Sequence, residues 1–572
     1  IASGGNYNTV VGDEAGTAIT TGDENTLVGY VSGDAITTGI RNVAVGSYAL
    51  STNVAGDQSV AVGHGALFTQ NPSGNADMNN TAVGHDAGNQ VTTGTENTLI
   101  GALAGDALTT GVENVAVGYQ ALSADTLGTG SVAIGRKALL AQNFTTATTS
   151  FNTAVGIVAG TSITTGIQNT LIGGIAGDAL TDADENVAVG YAALSGDTLG
   201  SKSTAIGHAA LATQNFTTAT DSNNTAVGYN AGTAVTTGTS NTLLGTQAGD
   251  ALTTGSENVA VGVQALSTED AHGQNTAVGQ QALRDLNAGA TGNNTAVGHI
   301  AGRRMTTGTE NTLIGAAAGD ALTDADYNVA LGARALGSDT LGSRSVAIGR
   351  SALESQNFTT ATDTYNTAVG AFAGLEVTTG TENTLIGGLS GDAITTGIRN
   401  VAVGSYALST NVAGDQSVAV GHGALFTQNP SGNADMNNTA VGHDAGNQVT
   451  TGTQNTLIGA LAGDALTTGS LTCVGYLSGS ALTTSVGNVL MGELSGTALT
   501  TGAHNTAFGS QALSTDTLGS RSVAVGHDAL RVQNFTTATD AYNTAVGYDA
   551  GVAVTTGESN NLIGGLAGDA LT

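Results

Sequence analysis

The chain has 572 residues, of which 86 are glycine, only 2 are proline and none is tryptophan. Its net charge of −31 repels nucleic acid and anionic membrane surfaces, so neither is expected as a partner. With 4 % aromatic residues an ordinary aromatic-rich globular core is excluded. The 40 % hydrophobic content is equally too high for a disordered chain, which leaves a fold around a thin core of Ala, Val, Ile and Leu.

Read from the N-terminus, a pentapeptide close to [N/S]-[T/V]-x-[V/I/L]-G starts at Asn8 and recurs at Asn25, Asn42, Ser59, Asn80 and Asn97, reaching 32 copies at Asn560. The fifth position is glycine in all 32; the first is asparagine in 25, serine in 6, and once Leu471. Intervals run 17, 17, 17 and 21 residues, giving a 72-residue cycle. The long interval follows each serine copy, where segments such as Gln142 to Phe151 add four residues. Two places break the cycle: Asn275 stands where serine is expected, and a 16-residue turn leads into Leu471. Residues 32–111 return almost unchanged at 390–469, with Glu96 becoming Gln454. Such duplication is tolerated where each unit touches mainly its neighbours. The chain starts and stops inside repeats, so residues 1–572 are expected to be one continuous repeat array and an internal segment of a longer protein.

The pentapeptide alternates, with positions 2 and 4 (Val43 and Val45) on one side and position 3 (Ala44) on the other. β-Branched residues dominate positions 2 and 4, as strands prefer, and glycine closes each strand. Two short strands per 17 residues leave no room for a helix. The expected fold class is therefore all-β: a repeat β-solenoid of stacked turns, a rod of roughly 150 Å at strand spacing. Asparagines one turn apart can hydrogen-bond in a ladder, or simply tolerate a tight corner. Because position 3 is usually alanine (Ala44, Ala61, Ala82, Ala116), that face is expected to be a seam between chains. Cys473, at position 3 of its copy, would then meet its counterparts on the assembly axis as a protected thiol.

SVAIG at Ser131–Gly135 and Ser345–Gly349, with the many NTAVG and NVAVG variants, resembles the head repeat of YadA-type trimeric autotransporter adhesins. Similar arrays resemble those of bacteriophage and bacterial tail-fibre proteins. The resemblance spans essentially the whole chain and implies a left-handed parallel β-roll, a homotrimer, and an extracellular place on a cell or virion surface. The period of 17 is longer than the YadA-type one, so a wider cross-section is expected.

Candidate sites fall on the departures from the repeat. The long loops, with Gln70, Asn71, Gln142, Asn143, Phe144, Gln214, Phe216, Gln356, Phe358, Gln428, Gln533 and Phe535, read either as surface-binding loops for glycans or neighbouring fibres, or as loops folding phenylalanine back over the turns. Histidine follows the motif glycine at His64, His85, His422 and His443. Consecutive turns place such rings roughly 5 Å apart, within reach of one ion, although Tyr30, Tyr119, Ser47 and Arg136 occupy the same slot as an exposed corner would allow. Asp34, Asp106 and their equivalents in GDA[L/I] segments read as turn caps. No GxxxxGK[ST] loop occurs; no catalytic constellation stands apart from the repeats, and neither enzyme activity nor a cofactor is expected. The expected function is structural: the shaft or head of an adhesin-like extracellular fibre, self-associated as a trimer and presenting polar loops to a host glycan or protein. A bacteriophage tail-fibre shaft and an ice- or surface-binding solenoid built on the threonines of position 2 are the alternatives.

Overall fold

The computed structural model describes residues 5–572, and the chain divides into two compact units, Ile1–Thr291 and Gly292–Thr572. Each unit is a parallel β-solenoid and holds half of the 32 ladder strands. No helix occurs among the described residues, so no helix is long and apolar enough to cross a membrane. Nearly every ladder strand is the middle three residues of a pentapeptide, and within each unit neighbouring copies pair in register. In the first unit Val43, Ala44 and Val45 face Val60, Ala61 and Val62. In the second, Thr367, Ala368 and Val369 face Thr384, Leu385 and Ile386.

The alternation holds, but the assignment of faces is reversed. Position 3 points into the interior of its own turn: Ala44, Ala61, Ala82 and Ala116 have no exposed surface. They are the core of the chain and not an inter-chain seam. Positions 2 and 4 face outward and are half-buried or exposed, as in Val43–Val45 and Thr98–Ile100. The physical reason is volume. Where position 3 is Leu27 or Leu99, the residue four past the motif glycine is Gly33 or Gly105; where it is Ala44 or Ala116, that residue is Leu50 or Leu122. All six of these Leu and Ala side chains are fully buried. A Cβ on Gly33 would lie 2.8 Å from Leu27 Cδ2, so leucines at both of these positions of one turn would overfill the space. Cys473 is likewise sealed inside one chain, where burial pushes its thiol up to about 12.

Two ladders, one of asparagines and one of glycines, run beside this core. Asn25 and Asn42 are buried. Oδ1 of Asn25 accepts the backbone N–H of Asn42 at 3.0 Å and its Nδ2 at 3.2 Å, while Asn42 Nδ2 also donates to Gly56 O at 2.8 Å. The asparagines therefore form the ladder, and each satisfies the backbone of the next turn, as buried polar groups must. The motif glycines stack on one another. At Gly29 φ is +139°, and a Cβ would stand 2.6 Å from Gly46 O, which excludes every other residue. The ladder breaks at Leu471: its N–H still donates to Asn455 Oδ1, but its side chain offers nothing onward. There the strands lengthen to Thr468–Val474 and Thr484–Met491, with a register shift between Ser470 and Thr472.

Candidate functional site

At the serine copies the asparagine ladder loses its side-chain acceptor, and the long loop repairs it. Ser131 N–H donates to Asn114 Oδ1 at 2.9 Å, but its short hydroxyl does not replace the amide toward the next turn. Gln142 bridges the gap: its Nε2 donates to Ser131 Oγ at 2.8 Å and its Oε1 accepts Asn152 Nδ2 at 2.9 Å. Gln70, Gln214, Gln356, Gln428 and Gln533 make the corresponding bonds to Ser59, Ser203, Ser345, Ser417 and Ser522. All six glutamines are fully buried, and Phe144, Phe216, Phe358 and Phe535 are nearly so. These side chains belong to the interior and are not a binding surface. The loops fold back because a glutamine is needed inside. Only Asn71, Asn143 and the tips, such as residues 145–147, remain exposed. The sequence carried a signal for this: each of the six serine copies has glutamine eleven residues later, whereas the asparagine copy at Asn275 has Leu286.

Opposite each phenylalanine loop lies a buried acid. Asp125 Oδ2 accepts Gln142 Nε2 at 2.6 Å, and its Oδ1 accepts the N–H of Gly128 at 3.0 Å and of Phe144 at 3.4 Å. Burial nevertheless raises its carboxyl above the usual range. Glu269, in the irregular turn, takes the same part with a longer side chain. It accepts the N–H of His272 at 3.1 Å and of Ala288 at 3.2 Å, and also lies 3.2 Å from His272 Nδ1. Glu269 therefore repeats the backbone clamp of the aspartates.

The residues after the motif glycine form rows of stacked rings. His208 lies between Tyr191 and Tyr229 at 5.4 and 5.3 Å, with no acid in the row. His64 and His85 differ. Their rings stack at 5.1 Å and 11°, and both turn Nδ1 to one carboxylate, 3.7 Å from Asp86 Oδ1 and 3.1 Å from Asp86 Oδ2. Asp86 reaches under His64 because residue 65 is glycine, at φ +66°; a Cβ there would lie 2.1 Å from Asp86 Oδ1. Tyr48 packs edge-on against His64 and Phe68, at 5.8 and 6.3 Å. The result is an open cleft of about 330 Å³ lined by Tyr48, His64, Phe68, Asp86 and Asn89. In the second unit His422, His443 and Asp444 repeat the arrangement, with rings 5.2 Å apart and Nδ1 distances of 3.8 and 3.2 Å, in a cleft of about 370 Å³. Asp86 and Asp444 were not singled out from the sequence, because they sit in a corner outside the strand alternation. No protein-family model matches the chain, and no curated protein matches it.

Proposed function

We propose that this chain is the structural shaft or head of an extracellular fibre, adhesin-like or of the tail-fibre kind, built by association of several copies along the outward strand face. The observation that carries this reading is the character of that face. Position 4 is apolar in every copy, from Val11 to Ile563, and position 2 is Thr or Val in all but Asn561. Stacking covers these side chains only in part: Ile100, Ile172 and Leu331 keep 39 %, 40 % and 44 % of their surface exposed. A repeated uncharged stripe of partly exposed apolar side chains along each unit fits an interface. Its regular spacing suits a second identical ladder. The acidic charge of −31 works against unspecific clumping elsewhere on the surface. The resemblance to trimeric adhesin heads favours three copies, with the seam on positions 2 and 4 in place of position 3.

Sedimentation of the whole chain tests this. A trimer is expected, and Ile100→Lys with Ile134→Lys should leave the circular-dichroism spectrum intact while yielding monomer. A monomeric wild-type chain, or an unaltered trimer in the double variant, would refute the seam. The outward threonines of position 2, such as Thr81 and Thr98, favour an ice- or crystal-binding face as the second reading. Inhibition of ice recrystallisation by the wild-type chain, lost in Thr81→Lys with Thr98→Lys, would select it.

A further inference from the structure

We propose that His64, His85 and Asp86, and in the second unit His422, His443 and Asp444, form two copies of a site for a borderline divalent cation of the Zn2+, Ni2+ and Cu2+ class. Each triad offers two imidazole nitrogens and one carboxylate oxygen within 4.8 Å of one another. That donor set suits such ions better than Ca2+ or Mg2+, which take oxygen ligands. A tetrahedral ion with bonds of about 2.0–2.1 Å holds its ligands about 3.3 Å apart. His85 Nδ1 lies 3.1 Å from Asp86 Oδ2, within that span, and His64 Nδ1 lies 3.7 Å from Oδ1 of the same carboxylate; the exposed rings rotate to bring the three donors, now within 4.8 Å of one another, onto one ion. Both imidazoles are more than half exposed, so water can complete the coordination.

Three features separate these triads from an accidental row of rings. Gly65 and Gly423 stand where other turns carry side chains such as Tyr48, Leu103 and Lys137, and their missing Cβ atoms open the path for the carboxylate. Asn89 Nδ2 donates to Asp86 Oδ1 at 3.3 Å, and Asn447 to Asp444 at 3.2 Å, which orients the carboxylate as outer partners of metal ligands do. Among the described residues no lysine or arginine pairs with Asp86 or Asp444, whose ion-pair partners are the histidines. In the comparable cluster of His527, Asp528 and Asp549, Arg531 lies 3.3 Å from Asp528 and already supplies a cation. An ion held by His64 and His85 ties two consecutive turns together across one of the long loops, residues 70–78. The site would therefore reinforce the solenoid where an insertion interrupts it.

The test uses the whole chain stripped with a chelator and titrated with Zn2+ in a calorimeter. Asp86→Asn with Asp444→Asn keeps side-chain shape and should bind two fewer ions per chain than wild type. His85→Gln with His443→Gln should lose the same two. In the unmodified chain Zn2+ should slow hydrogen exchange around residues 64–90 and 422–448 and leave the tyrosine-flanked His208 row unchanged. Unaltered stoichiometry in both double variants, or no Zn2+-dependent protection in the wild-type chain, would overturn the proposal.

Discussion

The two kinds of long loop close the same gap in the ladder with different chemistry. In the loop that starts at Gln214, Phe216 lies at the beginning, and its ring comes within 2.7 Å of where a Cβ on Gly200 would be. In the loop that starts at Gln70, Pro72 stands at that place, and Met78, from the far end, lies 3.0 Å from where a Cβ on the equivalent Gly56 would be. The buried group beneath changes with the loop. Under the phenylalanine loops it is Asp125, Asp197, Asp339 or Asp516, each accepting the phenylalanine N–H at 3.2–3.4 Å. Under the proline loops it is Asn53 or Asn411, which bonds instead to the backbone of its own turn. Proline has no N–H, so a carboxylate there would lack one of its donors. The comparison teaches that a buried charge is kept only where the opposing backbone supplies enough hydrogen to hold it.

The largest effect should come from removing the bridging glutamine of a charged layer. Gln142→Ala leaves the Asp125 carboxylate, the Ser131 hydroxyl and Asn152 Nδ2 short of partners and should cost about 3–5 kcal/mol. Gln70→Ala, over the neutral Asn53 layer, should cost about 1–3 kcal/mol. Because stability in a solenoid is local, hydrogen exchange of the affected turns under urea is the appropriate measurement; equal losses would break the comparison. Next in size, Asn53→Asp places a carboxylate beneath Pro72 and should destabilise its turn by about 2–3 kcal/mol at neutral pH. A neutral result would show that water or another donor reaches the layer.

The pH dependence sharpens the same contrast with a smaller effect. Burial raises the carboxyls of Asp125 and Asp339, although Gln and backbone donors favour their ionised forms. The folded chain thus holds protons that the unfolded chain, with carboxyls near about 3.9, would release. The raised carboxyls therefore weaken the fold above their folded values, and stability should rise as pH falls through those values toward about 3.9. Calorimetric melting should shift upward from pH 7 to about pH 4.5, with a shallower slope in Asp125→Asn with Asp339→Asn. At neutral pH the smallest change is expected: Asp125→Asn should alter stability by less than about 1 kcal/mol, since one charge-assisted bond is exchanged for relief of burial. A loss as large as that of Gln142→Ala would show that the carboxylate is indispensable.

Much of this construction was readable from residues alone. The asparagine ladder follows from identical amides one strand spacing apart, and the motif glycine from its invariance at a strand end. The glutamine bridges left a trace that the reading of the loops as binding surfaces passed over: serine at position 1 and glutamine eleven residues on change together, and Asn275 with Leu286 departs from both. The inward face was misread for a physical reason. A row of alanines suits a close contact between chains and equally suits the interior of a narrow turn; Leu50 and Leu122, folded in from a later part of the same turns, settle the matter. The histidine pairs were visible by spacing, but the carboxylate that joins them was not. Asp86 sits at φ 53°, in a left-handed corner where alternation gives no direction.

The sequence by itself determined the period, the strands, the in-register stacking and the places where the ladder must be repaired, because each rests on interactions between identical positions one turn apart. Tertiary structure decided which strand face is inside, where the loop side chains go, and which acid meets the histidines. Those depend on how a closed turn distributes a fixed interior volume among residues four to eleven positions apart, and on corners of positive φ that redirect side chains in ways no repeat pattern encodes.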